Sequence, residues 1–362
     1  MKILVAPLDW GLGHATRCVP VIEAFLEAKA EVIIGSCANL KSFFAEAFPQ
    51  LEQVELPSYG IEYPTHGYQM PAWLLSQLPR LQKIVKEEHK IVESVVETHK
   101  IDVVFSDNRF GAYSTKVPSV YMTHQLRIAF PFASRFLEGL GVRFHAEKMS
   151  KFSEIWVPDL PDFPGFAGRL SHEKINKPCR YIGPLSRFLE ISKTEKPKTS
   201  IEKQFCFLGM VSGVEPMRTH LENLLLEAFQ KLPGKHALLL GKPEIKEIAE
   251  KGNVVLYPHL SKEKFRELVL SAKYFVSRPG YSTIMDQAVL GANCLFVPTP
   301  GQTEQIYLSK IISKFRYARV MKESKLSAES LEQAFAGNAY RLPFADSSLL
   351  KKTVFEFMEQ YK

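Results

Sequence analysis

The sequence is short of cysteine. Its five (Cys18, Cys37, Cys179, Cys206 and Cys294) are odd in number and widely scattered. That spacing offers neither a disulfide framework nor a zinc motif, so a reducing compartment is expected and a metal site is not. No apolar run approaches the roughly 18–20 residues needed to span a bilayer. The opening MKILVAPLDW holds one lysine and a run too short for a secretory leader, and it reads as a first strand. A cytoplasmic protein is therefore expected. Acids are fewer than bases, 39 against 46, leaving a formal net charge of +7. The excess suits an anionic ligand or an anionic membrane surface. It is spread along the chain, with no dense basic arm and no aromatic–basic motif, so no nucleic-acid partner is expected.

What is present is ordinary globular material: 362 residues, 46% hydrophobic and 23% charged. The length exceeds what one core usually supports, which predicts two domains. KILVAP, EVIIGS, QVELP, IDVVFSD and SVYMTH read as strands, alternating with the amphipathic CVPVIEAFLEAKA, LKSFFAEAFP and LQKIVKEEHKIVESVVETHK. The last carries an apolar stripe, Leu81, Ile84, Val85, Val92, Val95 and Val96, at helical spacing. This is the rhythm of a parallel sheet with helices on both faces. NKPCRYIGPLSRFLEISKTEKPKTSIEKQ, rich in Pro, Lys, Ser and Thr, reads as a linker, after which the rhythm restarts at FCFLGMVSG. The expectation is an α/β protein with two Rossmann-like, doubly wound domains, 1–185 and 186–345, facing a cleft. The helix in 346–362 is expected to cross back onto the first. Open α/β sheets bind ligands beyond the carboxyl ends of their strands, so the informative residues should lie there.

The first such place is PLDWGLGHATR. It holds two glycines of a dinucleotide fingerprint, Gly11 and Gly13, but Thr16 stands at the third position, and the second strand ends IIGSC without a ribose-binding acid. NAD is therefore disfavoured. The turn instead carries His14 to the sheet edge. A neutral imidazole can take a proton from a hydroxyl near pH 7 if a partner fixes its tautomer. VVFSDN ends the fourth strand with Asp107 at the same edge, which makes a triad without its serine, the substrate supplying the hydroxyl. From spacing alone, helix capping by His14 and Asp107 explains the residues equally well.

The second place is SRPGYSTIMDQAVLG. Gly280 opens a turn, Ser282 and Thr283 stand at a helix start where backbone N–H groups favour an anion, and Arg278 adds a positive charge. Asp286, one helical turn on, could accept ribose hydroxyls, although Thr283 and Asp286 also fit a capping box. MVSGVEPMR offers a second loop with Ser212, Gly213 and Arg218. VPTPGQTEQ offers Glu304 and Gln305, suited to sugar hydroxyls or simply to starting a helix.

With these residues in view the sequence resembles the GT-B glycosyltransferases. It is similar to the family of the peptidoglycan lipid-linked N-acetylglucosaminyltransferase and to the UDP-glycosyltransferases. The resemblance spans nearly the whole chain by element order, while its specific motifs are few. It implies that His14 is the base and Asp107 its partner. It implies that Arg278, Gly280, Ser282, Thr283 and Asp286 meet diphosphate and ribose, and that Glu304 and Gln305 hold the donor sugar. Gly13, Ser212, Gly213, Arg218, His259 and Tyr281 complete the candidate donor contacts. YMTHQL resembles a loop near the acceptor, which puts Gln125 there with His124 beside it. The chain departs from those families in having Asp286 for the usual Glu, and Arg278 where UDP-glycosyltransferases have His. The implied reaction is inverting, metal-independent transfer of a hexose or N-acetylhexosamine from a UDP-sugar to a hydroxyl acceptor. No cofactor is expected, and no Asp-x-Asp metal motif is present. A UDP-sugar epimerase on the same fold and a non-catalytic nucleotide-sugar binding protein are the alternatives. LRIAFPFASRFLEGLGVRF, in which Arg127, Arg135 and Arg143 interleave with Phe130, Phe132 and Phe136, is a candidate peripheral contact with the inner face of a membrane, for a lipid-linked acceptor. Burial in the core is its competing explanation.

Overall fold

A computed structural model describes the chain except for residues 11, 61–69, 128–141, 144, 190–201, 243–244, 246, 338–339, 345–346 and 362, and the side chains of 70–75. The chain divides into two compact units, one running to Arg187 and taking in the last helix, the other starting at Phe188.

The first unit holds β1 (Lys2–Pro7), α1 (Leu12–Glu27), β2 (Glu31–Ser36), α2 (Ala38–Ala47), β3 (Glu52–Glu55), α3 (Met70–His99), β4 (Val103–Asp107), β5 (Ser119–Met122), β6 (Glu154–Val157) and β7 (Cys179–Tyr181). These strands form one sheet in the order β3-β2-β1-β4-β5-β6-β7, every neighbouring pair parallel. β1 and β4 are buried almost throughout, as continuous aliphatic runs in a parallel sheet should be. The helical stripe of α3 lays Val92 and Val96 against Leu4, Ile33 and Val104 of the sheet.

The second unit holds β8 (Phe205–Met210), α4 (Met217–Gln230), β9 (His236–Leu239), β10 (Ala249–Lys251), β11 (Val254–Tyr257), α5 (Lys262–Ser271), β12 (Ala272–Ser277), α6 (Tyr281–Leu290), β13 (Cys294–Phe296), α7 (Thr303–Lys314), β14 (Arg319–Val320) and α8 (Ala328–Phe335). Its sheet runs β10-β11-β9-β8-β12-β13-β14, parallel except for β10. Leu221, Leu225 and Phe229 of α4 pack with Leu331 and Phe335 of α8 on a core that includes Phe207 and Val276.

The last helix, α9 (Ser348–Gln360), returns to the first unit. Phe357 meets Trp156 of β6 edge-on at 5.3 Å, Lys351 pairs with Glu27 of α1, and Arg180 of β7 donates to Gln360 at 2.7 Å. The stretch read as a linker is in part sheet, because it contributes β7. Its Arg180 pairs with buried Glu154 of the neighbouring β6, and this satisfies a charge at a position that would otherwise be apolar.

Candidate functional site

The registers decide what stands together. In the first sheet Pro7, Asp107 and Met122 are direct neighbours across β1, β4 and β5. Whatever follows β1 and β5 therefore emerges beside Asp107. α1 begins at Leu12, so His14 lies in the first turn of that helix. The sequence had placed it in a glycine turn. Its Nδ1 is 3.0 Å from Asp107 Oδ2. About 15% of the His14 side chain remains exposed, while the Asp107 side chain is fully buried.

A third residue joins them that sequence reasoning missed. Arg17 follows His14 by three residues on the same helical face, and its side chain is only 3% exposed. Its Nε donates to Asp107 Oδ2 at 2.9 Å and its Nη2 to Asp107 Oδ1. Nη2 also lies 2.9 Å from His14 Nδ1. The signal was the i, i+3 spacing of His and Arg at the start of the helix. Spacing alone does not distinguish such an arginine from solvated surface. His124, just past β5, is buried, with its Nδ1 3.4 Å from Arg17 Nη1, and Gln125 Nε2 is 3.5 Å from His124 Nε2. The structure thus brings His14, Asp107, His124 and Gln125 into one cluster.

Burial opposes the negative charge of Asp107, but the Arg17 and His14 charges and hydrogen bonds outweigh it and hold the carboxyl at about 2. Burial lowers the His14 imidazole below its usual 6.5, and the adjacent Arg17 cation lowers it further, while Asp107 pulls the other way. The two partners report different things. An Asp–His contact alone would raise the histidine. Here Arg17 already neutralises the carboxylate, so His14 stays neutral at physiological pH. Nε2 keeps a lone pair in the tautomer that donates Nδ1–H to Asp107, whereas the other tautomer has Nδ1 accepting from Arg17 Nη2.

A second network holds this edge in place. Arg109 is fully buried. Its Nη1 donates to the Pro7 carbonyl at 3.2 Å, its Nη2 to the Pro57 carbonyl and its Nε to Glu88. Glu88 also accepts from the Tyr59 hydroxyl at 2.6 Å and the Gly111 N–H at 2.9 Å. The loops after β1, β3 and β4 are thereby tied to α3.

In the second sheet the strand ends also lie abreast. Tyr257, Leu239, Met210, Ser277, Phe296 and Val320 are successive register partners across β11, β9, β8, β12, β13 and β14. The loops carrying Ser212 and Gly213, His259, Gly280 to Thr283, and Glu304 and Gln305 therefore leave one edge. Gly213 has φ +111°, a left-handed backbone that favours glycine, and a Cβ there would meet nothing within 4 Å. Gly280 is the N-cap of α6 and, as a glycine, offers no side-chain cap. Thr283 and Asp286 do not form the capping box that the sequence also allowed, so Thr283 is the third helical residue and Asp286 lies half-buried a turn on. Tyr281 is buried, and Ser282 is half-buried. Gln305 accepts from the Thr299 N–H at 2.8 Å, bracing the loop before α7, while Gln302 caps that helix by accepting from the Gln305 N–H. Glu304 is half-buried beside it, and His259 is exposed.

The two arginines of this edge need correction. Arg278 was expected to offer its charge to phosphate. Its side chain is 1% exposed, with Nη2 on Glu323 and the Met217 carbonyl and Nη1 on the Val297 carbonyl. A guanidinium buried this way is tied to its carboxylate, since a lone buried charge is costly. Arg218 binds Glu215 through Nε and Nη2, at 2.8 and 2.6 Å, and the Gly241 carbonyl through Nη1 at 3.1 Å, so it clasps the loop after β8. The other features of this edge that suit an anion are backbone: the N-terminal end of α6 and the loop at Gly213.

Among the described residues no group of three or more His, Cys, Asp or Glu side chains could hold a metal ion, and no helix is long and apolar enough to cross a membrane. Of the candidate membrane contact, Arg127 and Arg143 are described, and 128–141 lie outside the described residues.

With the sites in view, the chain can be set beside known proteins. Residues 244–338 match the glycosyltransferase family 28 C-terminal domain. An uncharacterized glycosyltransferase of Methanosarcina acetivorans is 23% identical over 370 residues, covering 94% of this chain and 92% of its own. The spinosyn rhamnosyltransferase SpnG, complexed with thymidine diphosphate, superposes with a TM-score of 0.64 at 12% identity, covering 100% of this chain and 96% of its own. Acinetobacter baumannii MurG gives 0.56 at 12% identity, with 99% and 94% covered. The fold is GT-B. The class these relatives support is glycosyltransferase.

Proposed function

We infer that the protein transfers a hexose or N-acetylhexosamine from a UDP-sugar to a hydroxyl acceptor, with inversion and without a metal. The observation that carries this reading is the His14–Asp107 contact of 3.0 Å at a strand end, with an imidazole held neutral and partly exposed. His14 Nε2 removes the proton of the acceptor hydroxyl. The oxygen attacks the anomeric carbon as the bond to the nucleotide diphosphate breaks on the opposite face. Asp107 orients the imidazole through Nδ1–H and stabilises the imidazolium that forms. Arg17 keeps Asp107 ionised, so that Asp107 accepts the hydrogen bond without taking the proton. On the second unit the leaving diphosphate meets the N-terminal end of α6, whose dipole favours an anion, and Arg278 acts only by supporting that loop. Asp286 takes the ribose, and Glu304 with the amide of Gln305 takes the sugar. His124 and Gln125 border the acceptor side.

The test is a melting comparison with UDP, TDP and NAD, followed by turnover of His14→Ala. A nucleotide diphosphate at about 100 times its Kd should stabilise the protein by about 2.7 kcal/mol. His14→Ala should keep that shift and lose about 10²–10⁴-fold in turnover. A shift with NAD and none with UDP or TDP, or full turnover in His14→Ala, would defeat the reading.

A further inference from the structure

The second unit contains a cavity that the donor reading leaves unused. Its volume is about 1010 Å³, at the top of the range of about 300–1,000 Å³ common for small-molecule sites. Leu224 of α4, Ile306 of α7, Val320 at the end of β14 and the buried Leu326 give it an aliphatic wall, with Pro298 and Pro300 alongside. Lys310 and Lys314, one turn apart on α7, and Lys322 in the loop after β14 stand around it. None of these lysines has an ion-pair partner among the described residues, and Lys314 only overlies the Phe315 ring at 5.6 Å. Glu323 also lines the cavity, but its carboxylate serves Arg278 and lies 3.5 Å from His220. The local charge left over is positive.

The polar atom that points to a ligand is the Ser309 hydroxyl. Ser309 is 4% exposed and lines the cavity, and its Oγ has no hydrogen-bond partner. Buried hydroxyls are nearly always bonded, because an unmet one costs stability. The lining's one aromatic ring is the His220 imidazole, 3.5 Å from Glu323, and it has no Phe, Tyr or Trp and no uncommitted carboxylate for a ribose, so a nucleotide fits it poorly.

We propose that this cavity binds an anionic amphiphile: an acidic head group, phosphate or carboxylate, held by Lys310, Lys314 and Lys322, with a hydrocarbon body on Leu224, Ile306, Val320 and Leu326. The Ser309 hydroxyl donates to the ligand. Lysines serve here as point charges that tolerate either head group. Ile306 and Thr299 border the loop of Glu304 and Gln305, but Ser309, Lys310 and Lys314 lie on later turns of α7 and Lys322 beyond β14, and binding of UDP tests the donor reading separately.

The test is calorimetry below the micellar range with dodecyl phosphate, dodecanoate, dodecyl maltoside and inorganic phosphate, with and without saturating UDP. A photoreactive alkyl phosphate, mapped by mass spectrometry, gives the location. One site should be seen for dodecyl phosphate or dodecanoate, with whichever head group binds more tightly naming the source, and weak or no binding of the neutral detergent and of inorganic phosphate. UDP should leave the affinity unchanged. Lys310→Ala and Lys322→Ala, both on exposed side chains, should each weaken binding about tenfold, in keeping with a hydrogen bond to a charged group. Ser309→Ala should weaken binding while raising the melting temperature of the unliganded protein, since it removes an unmet hydroxyl. Equal binding of dodecyl maltoside, unchanged affinity in both lysine variants, displacement by UDP, or labelling away from α7 and residues 320–326 would each overturn the proposal.

Discussion

The two units use opposite materials at their strand ends. The first builds its candidate site from charged side chains withdrawn from water: Asp107 and Arg17 are buried, and His14 is held neutral against them. The second commits its two arginines elsewhere. Arg278 turns inward to Glu323, Arg218 clasps its own loop, and the edge that remains is backbone N–H and half-buried polar groups. Proton transfer needs a group whose basicity is set by its surroundings, and this calls for a desolvated, over-determined cluster. Holding a diphosphate needs donors at fixed positions, and a helix start supplies them without a buried charge.

The contrast breaks most visibly at the two aspartates. Asp107→Ala leaves Arg17 buried without its carboxylate and should cost about 3–5 kcal/mol of stability, read by denaturant unfolding. Asp286→Ala should cost the unliganded protein clearly less than Asp107→Ala does and should in addition weaken UDP binding. Equal losses of stability in the two variants would erase the distinction.

Acid sharpens it next. The folded values of His14 and Asp107 both lie below their ordinary ones, so the unfolded chain binds more protons and stability falls on acidification. The His14 part is present above the usual 6.5 and fades as pH falls below it. The Asp107 part is lost between the ordinary 3.8 and about 2. Turnover should therefore hold through neutral pH and drop only below 6.5. Arg17→Met removes a cation that depresses the imidazole, so the acid limb of kcat/KM should move to higher pH. An unmoved limb would mean that Arg17 serves packing alone.

The smallest effect belongs to the backbone edge. Gly213→Ala adds a methyl that meets no atom, so only its left-handed backbone is penalised, by about 1–2 kcal/mol. UDP binding should weaken modestly, with no change in the pH profile.

How much of this was legible follows from where charge sits. The aliphatic strands β1, β2 and β4 and the striped α3 announced themselves, and Asp107 at a strand end followed from them. β6 and β7 did not, because EIWV and CRY each carry a charged residue that only its partner across the pair explains, Glu154 to Arg180. Trp156 Nε1 donates to the same Glu154 at 2.8 Å, which completes a polar seam inside the sheet. Arg17 stayed hidden for the same reason: a single sequence does not show that a charge is answered from 90 residues away. Arg278 erred in the other direction, read as available because Glu323 lies 45 residues on. α8 was missed because AESLEQAF is short, although Ser327 and Ser330 form its capping box.

The return of α9 to the first unit sets an order of events during synthesis. Trp156 receives Phe357, and Glu27 receives Lys351, only after the whole second unit has left the ribosome. At about 5–20 residues per second that is a wait on the order of tens of seconds. The unit that leads the chain is therefore completed last. Until then the face that α9 will cover is open to solvent and to chaperones, while the second unit has all its own strands available to close.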